Sequence, residues 1–274
     1  VLELSSWQLQ GLGWVKISPH LALITNIYPD HLNRYKSMAD YIADKKIIFK
    51  YQKRDDFLIL NKENEIVESF AAEAPSKLFW FKKADWPQSW PLKIPGVHNR
   101  ENAAAAMTVG RLLKIDDKVI KEAVGNFPGV PHRLEGIRKI NGVTFVNDTT
   151  ATMPEAAVAA LRAYAGQPII LICGGNSKNL DLTNFAKEIV KRAKAVVLLK
   201  GTATDEIEKA IKQYSNLAIN DLILGRFNNL PQAVLVARKV TNSEDIILLS
   251  PGCTSFGMFK NEFDRGEQFR QIVK

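Results

Sequence analysis

The second half of the chain alternates between two patterns of apolar positions. Short, almost wholly apolar runs are typical of strands buried on both faces of a parallel sheet. Between these runs, apolar residues recur every three or four positions, as in amphipathic helices. The strand-like runs are PIILIC, AVVLLKG and DIILLS, and the helical segments are DLTNFAKEIVKRA, TDEIEKAIKQY, LPQAVLVARKV and the segment that ends at Lys274. This alternation predicts a doubly wound α/β domain, whose ligands bind at the carboxyl ends of its strands.

The first half of the chain predicts shorter elements. Its opening residues, VLEL, are typical of a buried strand that ends near Glu3. A second strand is predicted from Leu21 to Ile27. An amphipathic helix follows, with Ser37 as its N-cap and Asp40 three residues later. Short strands of a meander are predicted at DFLILN, EIVES and KLFWFK, and helices at HNRENAAAAMTVGRLL and KVIKEAVGNF.

The segment PGVPHR interrupts this pattern with two prolines and a glycine in four residues. It predicts a domain boundary near residue 130, which gives domains of residues 1–129 and 130–274. Beyond it, GIRKINGVTFVND predicts a β-hairpin with Asn141 and Gly142 in a two-residue turn. We expect the two domains to move about PGVPHR.

Composition and charge narrow the possible functions. The net charge is +8, but basic residues alternate with acidic ones along the predicted helices, which favours a solvated surface. A small polyanion such as a nucleotide fits the excess charge better than DNA or RNA does. Cys173 and Cys253 lie far apart in the sequence and indicate neither a disulfide framework nor a zinc site. No apolar run approaches the ~20 residues of a membrane span, so we expect no membrane partner. The cysteine usage favours a reducing, cytoplasmic compartment, and the interleaved charges predict no nucleic-acid partner.

Polar residues stand where predicted strands end or helices begin. Asp30 and His31 follow a strand, Asn99 and Asn102 share one face at a helix start, and Asp148 follows another strand. Turn formation and helix capping are the alternative explanations for each of them. The glycine turns in ICGGNSK and LLSPGCTSFG expose backbone N–H groups to anions or simply reverse the chain. The sequence contains no G-x-x-x-x-G-K-[ST] motif, so a nucleotide site here would lack the usual triphosphate cradle.

The order of these motifs resembles the Mur ligases along essentially all 274 residues. The matching segments are LELSSWQL, TNIYPDHLNRY, ADKKIIF, HNRENAAAA, GVPHRLE, VNDTTAT, GGNSK and LLSPGCTSFGMFKNEFDRG. The resemblance implies a partial central ATPase domain followed by a C-terminal Rossmann-like doubly wound domain. We expect a fragment that lacks the family's UDP-binding domain and phosphate loop, and that does not turn over ATP by itself.

The resemblance also implies an activity. In the branch of the family that it matches best, D-glutamate is joined to UDP-N-acetylmuramoyl-L-alanine for peptidoglycan synthesis. ATP phosphorylates the substrate carboxylate, and the amine of glutamate attacks the resulting acyl phosphate. Mg²⁺ and cationic side chains offset the repulsion between the anionic reactants. The expected partners are these small molecules, and the expected state is a monomer.

The resemblance assigns roles to individual residues. Glu3, His31 and Lys46 fall on positions that serve Mg²⁺, with Lys46 N-carboxylated; Lys45 is the neighbouring alternative. The catalytic positions are Lys46, His31 and Lys178. The nucleotide positions are Asn99, Asn102, Arg133 and Asp148. The substrate positions are Ser5, Gln8, Thr152, Lys178, Ser255 and Phe256.

Two departures from the family pattern concern the acceptor amino acid. Thr150 replaces a lysine, and Glu262 replaces an aromatic residue that in this chain appears one place later, as Phe263. Both leave the specificity for D-glutamate open. A folylpolyglutamate synthetase-like ligase and a non-catalytic binding remnant remain as alternatives. A G-x-x-G-K-T-T-like loop encoded upstream of Val1 would favour an enzyme over a remnant.

Overall fold

The computed structural model describes residues 1–29, 34–215, 222–255 and 257–274. They form two compact units. The first comprises Val1–Lys93 and Val97–Phe127, and the second comprises Ile94–Gly96 and Pro128–Lys274. The functional domain limits given by the sequence, 1–129 and 130–274, stay a prediction.

The first unit is a three-stranded parallel sheet with helices on both faces. Its elements are α1 (Ser6–Trp14), β1 (Leu21–Ile24), α2 (Met38–Lys50), β2 (Phe57–Asn61), α3 (Glu65–Ser69), β3 (Lys77–Phe81), α4 (Val97–Leu112) and α5 (Asp117–Gly125), with short 3₁₀ helices at Phe70–Glu73 and Lys83–Asp85. The strand order is β1-β2-β3. On the central strand, Leu58 and Leu60 face a core that includes α2 and α3, while Ile59 faces a core that includes α4 and α5.

Three predictions for this unit are wrong. The segment VLEL is not a strand; Val1 and Leu2 are exposed, and Ser5 instead caps α1. The segment EIVES forms α3, because Asn64 caps it by accepting a hydrogen bond from the Val67 N–H at 3.1 Å. The strands are parallel and form no meander, since α2 and α3 provide the crossover connections that parallel strands require. The predicted cap of α2 is confirmed: Ser37 Oγ accepts from the Asp40 N–H at 3.2 Å.

The second unit is a six-stranded sheet covered by helices on both faces, as predicted. Its elements are β4 (Glu135–Ile140), β5 (Val143–Asn147), α6 (Pro154–Ala163), β6 (Ile169–Gly174), α7 (Thr183–Arg192), β7 (Ala193–Leu199), α8 (Thr204–Tyr214), β8 (Ile223–Phe227), α9 (Leu230–Lys239), β9 (Ile246–Leu249) and α10 (Glu262–Val273). The order is β4-β5-β9-β6-β7-β8, and among the strand pairs of the described residues only β4–β5 is antiparallel.

Successive side chains of the central strands point to opposite faces of the sheet and pack into two different cores. Leu171 and Leu248 pack with α6, α7 and α8 on one face. Ile170 and Ile247 pack with α9 and α10 on the other. The predicted hairpin between β4 and β5 is confirmed, with Asn141 and Gly142 at φ values of 50° and 84°, as a type I′ turn requires. In the described parts of the chain, no helix is both long and apolar enough to span a membrane.

Candidate functional site

Three loops meet at the carboxyl edge of the six-stranded sheet. They follow β5, β6 and β9, which are neighbours in the sheet. The Gly252 N–H donates to the Ala151 carbonyl at 2.8 Å, and the backbones of Asn176 and Thr254 exchange hydrogen bonds of 3.0 and 3.1 Å. These bonds bring together three sequence-predicted segments that contain Thr152, Lys178 and Ser255. The edge of a parallel sheet where loops converge in this way is a typical ligand site.

Lys178 lies on a small pocket within this loop cluster. Pro154, Ala203 and Cys253 form part of its wall, and Ser177 lies beside Lys178 at its rim. Ser255 is 3% exposed, and its Oγ has no hydrogen-bond partner among the described residues. Lys178 and Ser177 thus place a cation and a hydroxyl side by side at this pocket, and such a pair suits a carboxylate.

Asp148 is buried beneath the same loops. Its Oδ2 accepts a hydrogen bond from Ser250 Oγ at 2.6 Å, and its Oδ1 accepts from the Leu134 N–H at 3.1 Å. Burial raises the pKa of Asp148 to about 7, although these two bonds and the charge of Arg133 oppose the rise. The carboxyl group therefore serves the internal structure of the site and does not face outwards.

The segment 132–134 is held between left-handed residues on either side of Arg133. His132 and Leu134 have φ values of 68° and 46°, which non-glycine residues adopt rarely. The His132 carbonyl accepts hydrogen bonds from the backbone N–H of Thr150, at 3.2 Å, and from its Oγ1, at 2.9 Å. Arg133 is thereby presented in an exposed position next to Asp148, so these two predicted nucleotide residues do come together.

Arg265 is a buried cation that the sequence analysis did not single out. Its side chain is fully buried on α10, where Nε donates to Thr149 Oγ1 at 2.9 Å and Nη2 donates to the Thr149 carbonyl at 2.8 Å. Thr149 Oγ1 in turn donates to the Glu262 carbonyl at 2.8 Å. Burial lowers the pKa of Arg265 to about 10, so the group stays charged at neutral pH. Arg265 thus fixes the backbone directly after Asp148.

In the first unit, Ser5 and Gln8 form a capping box at the start of α1. Ser5 Oγ accepts from the Gln8 N–H at 3.3 Å, and Gln8 Oε1 accepts from the Ser5 N–H at 2.8 Å. Glu3 is exposed just ahead of this cap. Both predicted substrate contacts therefore have a structural role that the pattern S-x-x-Q could have signalled.

Lys46 on α2 is paired with an acidic residue. Its Nζ lies 2.5 Å from Glu73 Oε1 and 5.0 Å from the centre of the Phe70 ring. The Lys46 side chain is 23% exposed and that of Glu73 is 58% exposed, so Glu73 is the more solvent-accessible partner. The neighbouring Lys45 stacks over Tyr41 instead, at 5.7 Å, so the two lysines occupy different environments.

Asn99 and Asn102 lie on one face of α4, as predicted. Asn102 Nδ2 donates to Asn99 Oδ1 at 3.3 Å; Asn99 is buried and Asn102 is exposed. The predicted positions Asp30, His31 and Phe256 lie outside the described residues. Within the described ranges, no group of three or more His, Cys, Asp or Glu side chains is placed to hold a metal ion. The exposed carboxylate of Glu3 is nevertheless a hard oxygen ligand of the kind that Mg²⁺ prefers.

Two family models match the chain. The model of the Mur ligase middle domain matches residues 1–86, and the model described as Mur ligase, glutamate ligase domain matches residues 132–253. The chain belongs to the Mur ligase family. Both compact units thus carry a Mur ligase domain.

Curated relatives of this Mur ligase chain match it along its whole length. UDP-N-acetylmuramoylalanine–D-glutamate ligases from Roseiflexus sp. and Acetivibrio thermocellus are 41% and 35% identical to it. The alignments cover 100% of this chain but 65% and 63% of those relatives. The chain therefore spans a little less than two thirds of the length of these relatives.

Solved structures of Mur ligases share the fold. The UDP-N-acetylmuramate-alanine ligase MurC from Thermotoga maritima aligns with a TM-score of 0.67 at 18% identity, covering 98% of this chain and 61% of that one. The MurF ligase from Thermotoga maritima, in complex with ADP, aligns with a TM-score of 0.68 at 16% identity, covering 98% and 65%. At these identities the likeness shows the fold alone.

In the loop cluster of this Mur ligase the backbone at Gly201 passes close to the backbone at Gly175, and a substitution can test whether this close approach stabilises the fold. A Cβ atom at Gly201 would lie 2.1 Å from the Gly175 carbonyl oxygen. We expect Gly201→Ala to lower the free energy of unfolding by about 1–3 kcal/mol, as overpacking of a rigid contact does, because backbone must move on both sides. Urea denaturation measures this. Gly136→Ala is the control, since a Cβ atom there meets nothing within 4 Å; equal effects of the two substitutions would contradict the argument.

Proposed function

We propose that this chain forms the greater part of an ATP-dependent ligase that joins D-glutamate to UDP-N-acetylmuramoyl-L-alanine in peptidoglycan synthesis. The observation that carries the proposal is the 41% identity along the whole chain to a UDP-N-acetylmuramoylalanine–D-glutamate ligase. The loop that contains Lys178 supports it, because it places a cation and the Ser177 hydroxyl at a small pocket at the edge of the sheet.

The proposed reaction has two steps. The carboxylate of UDP-N-acetylmuramoyl-L-alanine attacks the γ-phosphorus of ATP, which forms an acyl phosphate and releases ADP. The amine of D-glutamate then attacks the acyl carbon, loses a proton and expels inorganic phosphate as the amide bond forms. Lys178 pairs with a carboxylate of the incoming glutamate, while Thr152 and Ser255 offer it hydroxyl groups. A fixed acceptor geometry of this kind favours attack over hydrolysis of the acyl phosphate.

Arg133 and Asp148 are assigned different tasks at the nucleotide. Arg133 is exposed and offers its guanidinium to the phosphates. Asp148 acts through Arg133, because its carboxyl group accepts from the Leu134 N–H and so fixes the segment 132–134. Asn99 and Asn102 are assigned to the adenine nucleotide in the first unit.

Glu3 would hold Mg²⁺, which, when bound, neutralises the charge that develops on the transferred phosphoryl group. Carboxylation of Lys46 would turn its ammonium into an anionic oxygen donor. That change would replace the attraction to Glu73, whose side chain is 58% exposed, by repulsion between two anions. ATP and UDP-linked sugars are intracellular nucleotides, which supports action in the cytoplasm. A monomeric state stays a prediction.

The proposal is tested with the protein as expressed from its complete gene. We expect release of inorganic phosphate and formation of UDP-N-acetylmuramoyl-L-alanyl-D-glutamate, detected by mass spectrometry, when ATP, Mg²⁺ and both substrates are present. L-Glutamate should give little product. Glutamylation of a folate in place of the muramoyl substrate would point to a folylpolyglutamate synthetase-like enzyme. No product with either acceptor would leave the binding remnant as the better explanation.

A further inference from the structure

The loop that carries Lys178 is hydrogen-bonded to the residues just before α8, the helix that follows β7. The Ser177 N–H donates to Thr202 Oγ1 at 2.9 Å, and the Thr202 N–H donates to Asn176 Oδ1 at 3.1 Å. The Ala203 N–H donates to the Gly175 carbonyl at 3.1 Å. Three hydrogen bonds therefore join the loop after β6 to the loop after β7 on the amino-terminal side of Lys178.

Glu206, in the first turn of α8, completes this attachment through a side chain. Ser177 Oγ donates to Glu206 Oε2 at 2.9 Å and accepts from the Asn179 N–H at 3.0 Å. Asn179 has a φ of 56°, a left-handed conformation that needs local support. Because the carboxylate fixes the direction of the Ser177 hydroxyl, the lone pairs of Ser177 stay turned towards Asn179. The backbone is thus held on both sides of Lys178.

Glu206 and Lys178 also act on the same pocket electrostatically. Cys253 forms part of the pocket wall together with Lys178. The pKa of the Cys253 thiol is raised to about 12, chiefly by burial; the positive charge of Arg265 opposes the rise, the negative charge of Glu206 contributes to it, and the positive charge of Lys178 opposes it. The two opposite charges therefore lie near one wall of one pocket.

We propose that Glu206 is a positioning residue of the glutamate site: through the Ser177 hydroxyl it sets the loop that presents Lys178 to a carboxylate of the incoming amino acid. This inference rests on the proposed function and deepens it, since it adds a residue of α8 to the three-loop site. A carboxylate is the suitable acceptor here, because a hydrogen bond to a charged group holds a hydroxyl more firmly than one to a neutral group.

The test compares two neighbouring acids on α8 in the protein as expressed from its complete gene. We expect Glu206→Gln to raise the KM for D-glutamate about five- to tenfold, as loss of a charge-assisted hydrogen bond does, with less than about a twofold change in kcat or in the KM for ATP. Asp205→Asn removes the same charge from the same helix turn, but Asp205 pairs with Arg226 at 2.6 Å and not with the loop. It should leave the KM for D-glutamate unchanged.

Two further readouts separate positioning from a general charge effect. Ser177→Ala should reproduce Glu206→Gln, and the double variant should be no worse than either one, because both remove the same link. Hydrogen exchange of the amides at 176–179 should be faster in Glu206→Gln than in Asp205→Asn. An active wild type in which both acid variants behave alike would overturn this inference alone. A wild type that uses no glutamate would overturn the proposed function as well.

Discussion

Replacing Arg265 by methionine should lower the free energy of unfolding of the second unit by about 2–4 kcal/mol, the usual effect of losing two buried hydrogen bonds from a charged donor. Two contributions to this change in unfolding free energy have opposite signs. The substitution removes a buried charge whose Nη1 has no hydrogen-bond partner in the structure, which by itself is favourable. It also leaves the Thr149 carbonyl and Oγ1 without the guanidinium that binds both of them. The second term is larger, because two bonds to the loop are lost.

Urea denaturation with Arg270→Met as a control checks this expectation. Arg270 lies on the same helix, is only partly buried and pairs with Glu135 at 2.6 Å and Glu267 at 2.8 Å. Its replacement should lower the free energy of unfolding by about 1 kcal/mol or less, as for other solvent-accessible ion pairs. Equal losses of unfolding free energy in the two arginine variants would show that the hydrogen bonds from Arg265 to Thr149 contribute no more stability than a partly exposed ion pair.

Thr149 gives a second approach if the arginine variant does not fold. Thr149→Val keeps the shape of the side chain but loses the hydroxyl, whereas Thr149→Ser keeps the hydroxyl and loses a methyl group. Valine should be the more destabilising, because it leaves the Glu262 carbonyl and Arg265 Nε unpaired. A larger effect of serine than of valine would show that packing, not hydrogen bonding, governs this position.

Asp148 should make the stability of the second unit fall as pH rises through neutrality. Its pKa in the folded protein is about 7, above the ordinary value of 3.8, because of burial. The stabilising contribution of the neutral acid is therefore complete below about pH 4 and is lost as pH rises through 7. A shift of this size corresponds to a decrease of up to about 4 kcal/mol, at 1.36 kcal/mol for each unit of pKa.

Unfolding by urea at pH 5, 6, 7 and 8 measures this dependence. Asp148→Asn should flatten the fall in stability between pH 5 and 8, because an amide does not titrate. Asp181→Asn is the control: a hydrogen bond from Thr183 keeps the pKa of Asp181 below its ordinary value, so its removal should leave the profile between pH 5 and 8 unchanged. If the unfolding free energy of Asp148→Asn fell between pH 5 and 8 as much as that of the wild type, another group would be responsible for the pH dependence.

The sequence predicted the second unit well because its strands are apolar throughout and its helices are strongly amphipathic. It could not predict that β9 lies between β5 and β6, since sheet order depends on contacts between residues far apart in the chain. That order is what places Ser250 beside Asp148. From the sequence we could therefore predict a ligand site at the carboxyl ends of the strands, as in other parallel sheets, but not which three loops form it.

The residues missed by the sequence analysis are charged residues on helices. Arg265 and Glu206 look like ordinary members of a solvated helix face, and only tertiary packing shows that one is buried and that the other binds Ser177. The sequence predicts a strand at α3 because five residues with two adjacent apolar positions are too few to distinguish a helical period from a strand period. There the capping residue Asn64 was the better signal.

The central place of β9 also determines when the second unit can become a sheet. Residues Ile246–Leu249 pair with β5 on one side and with β6 on the other, and they join the chain about a hundred residues after β5 and about eighty after β6. In a growing polypeptide that has not yet reached Ile246, one edge of β5 and one edge of β6 are unpaired, because β9 is the strand that pairs with both. Because contacts between residues far apart in the chain form slowly, we expect the loops around Asp148, Lys178 and Ser255 to come together only after this four-residue strand has been inserted.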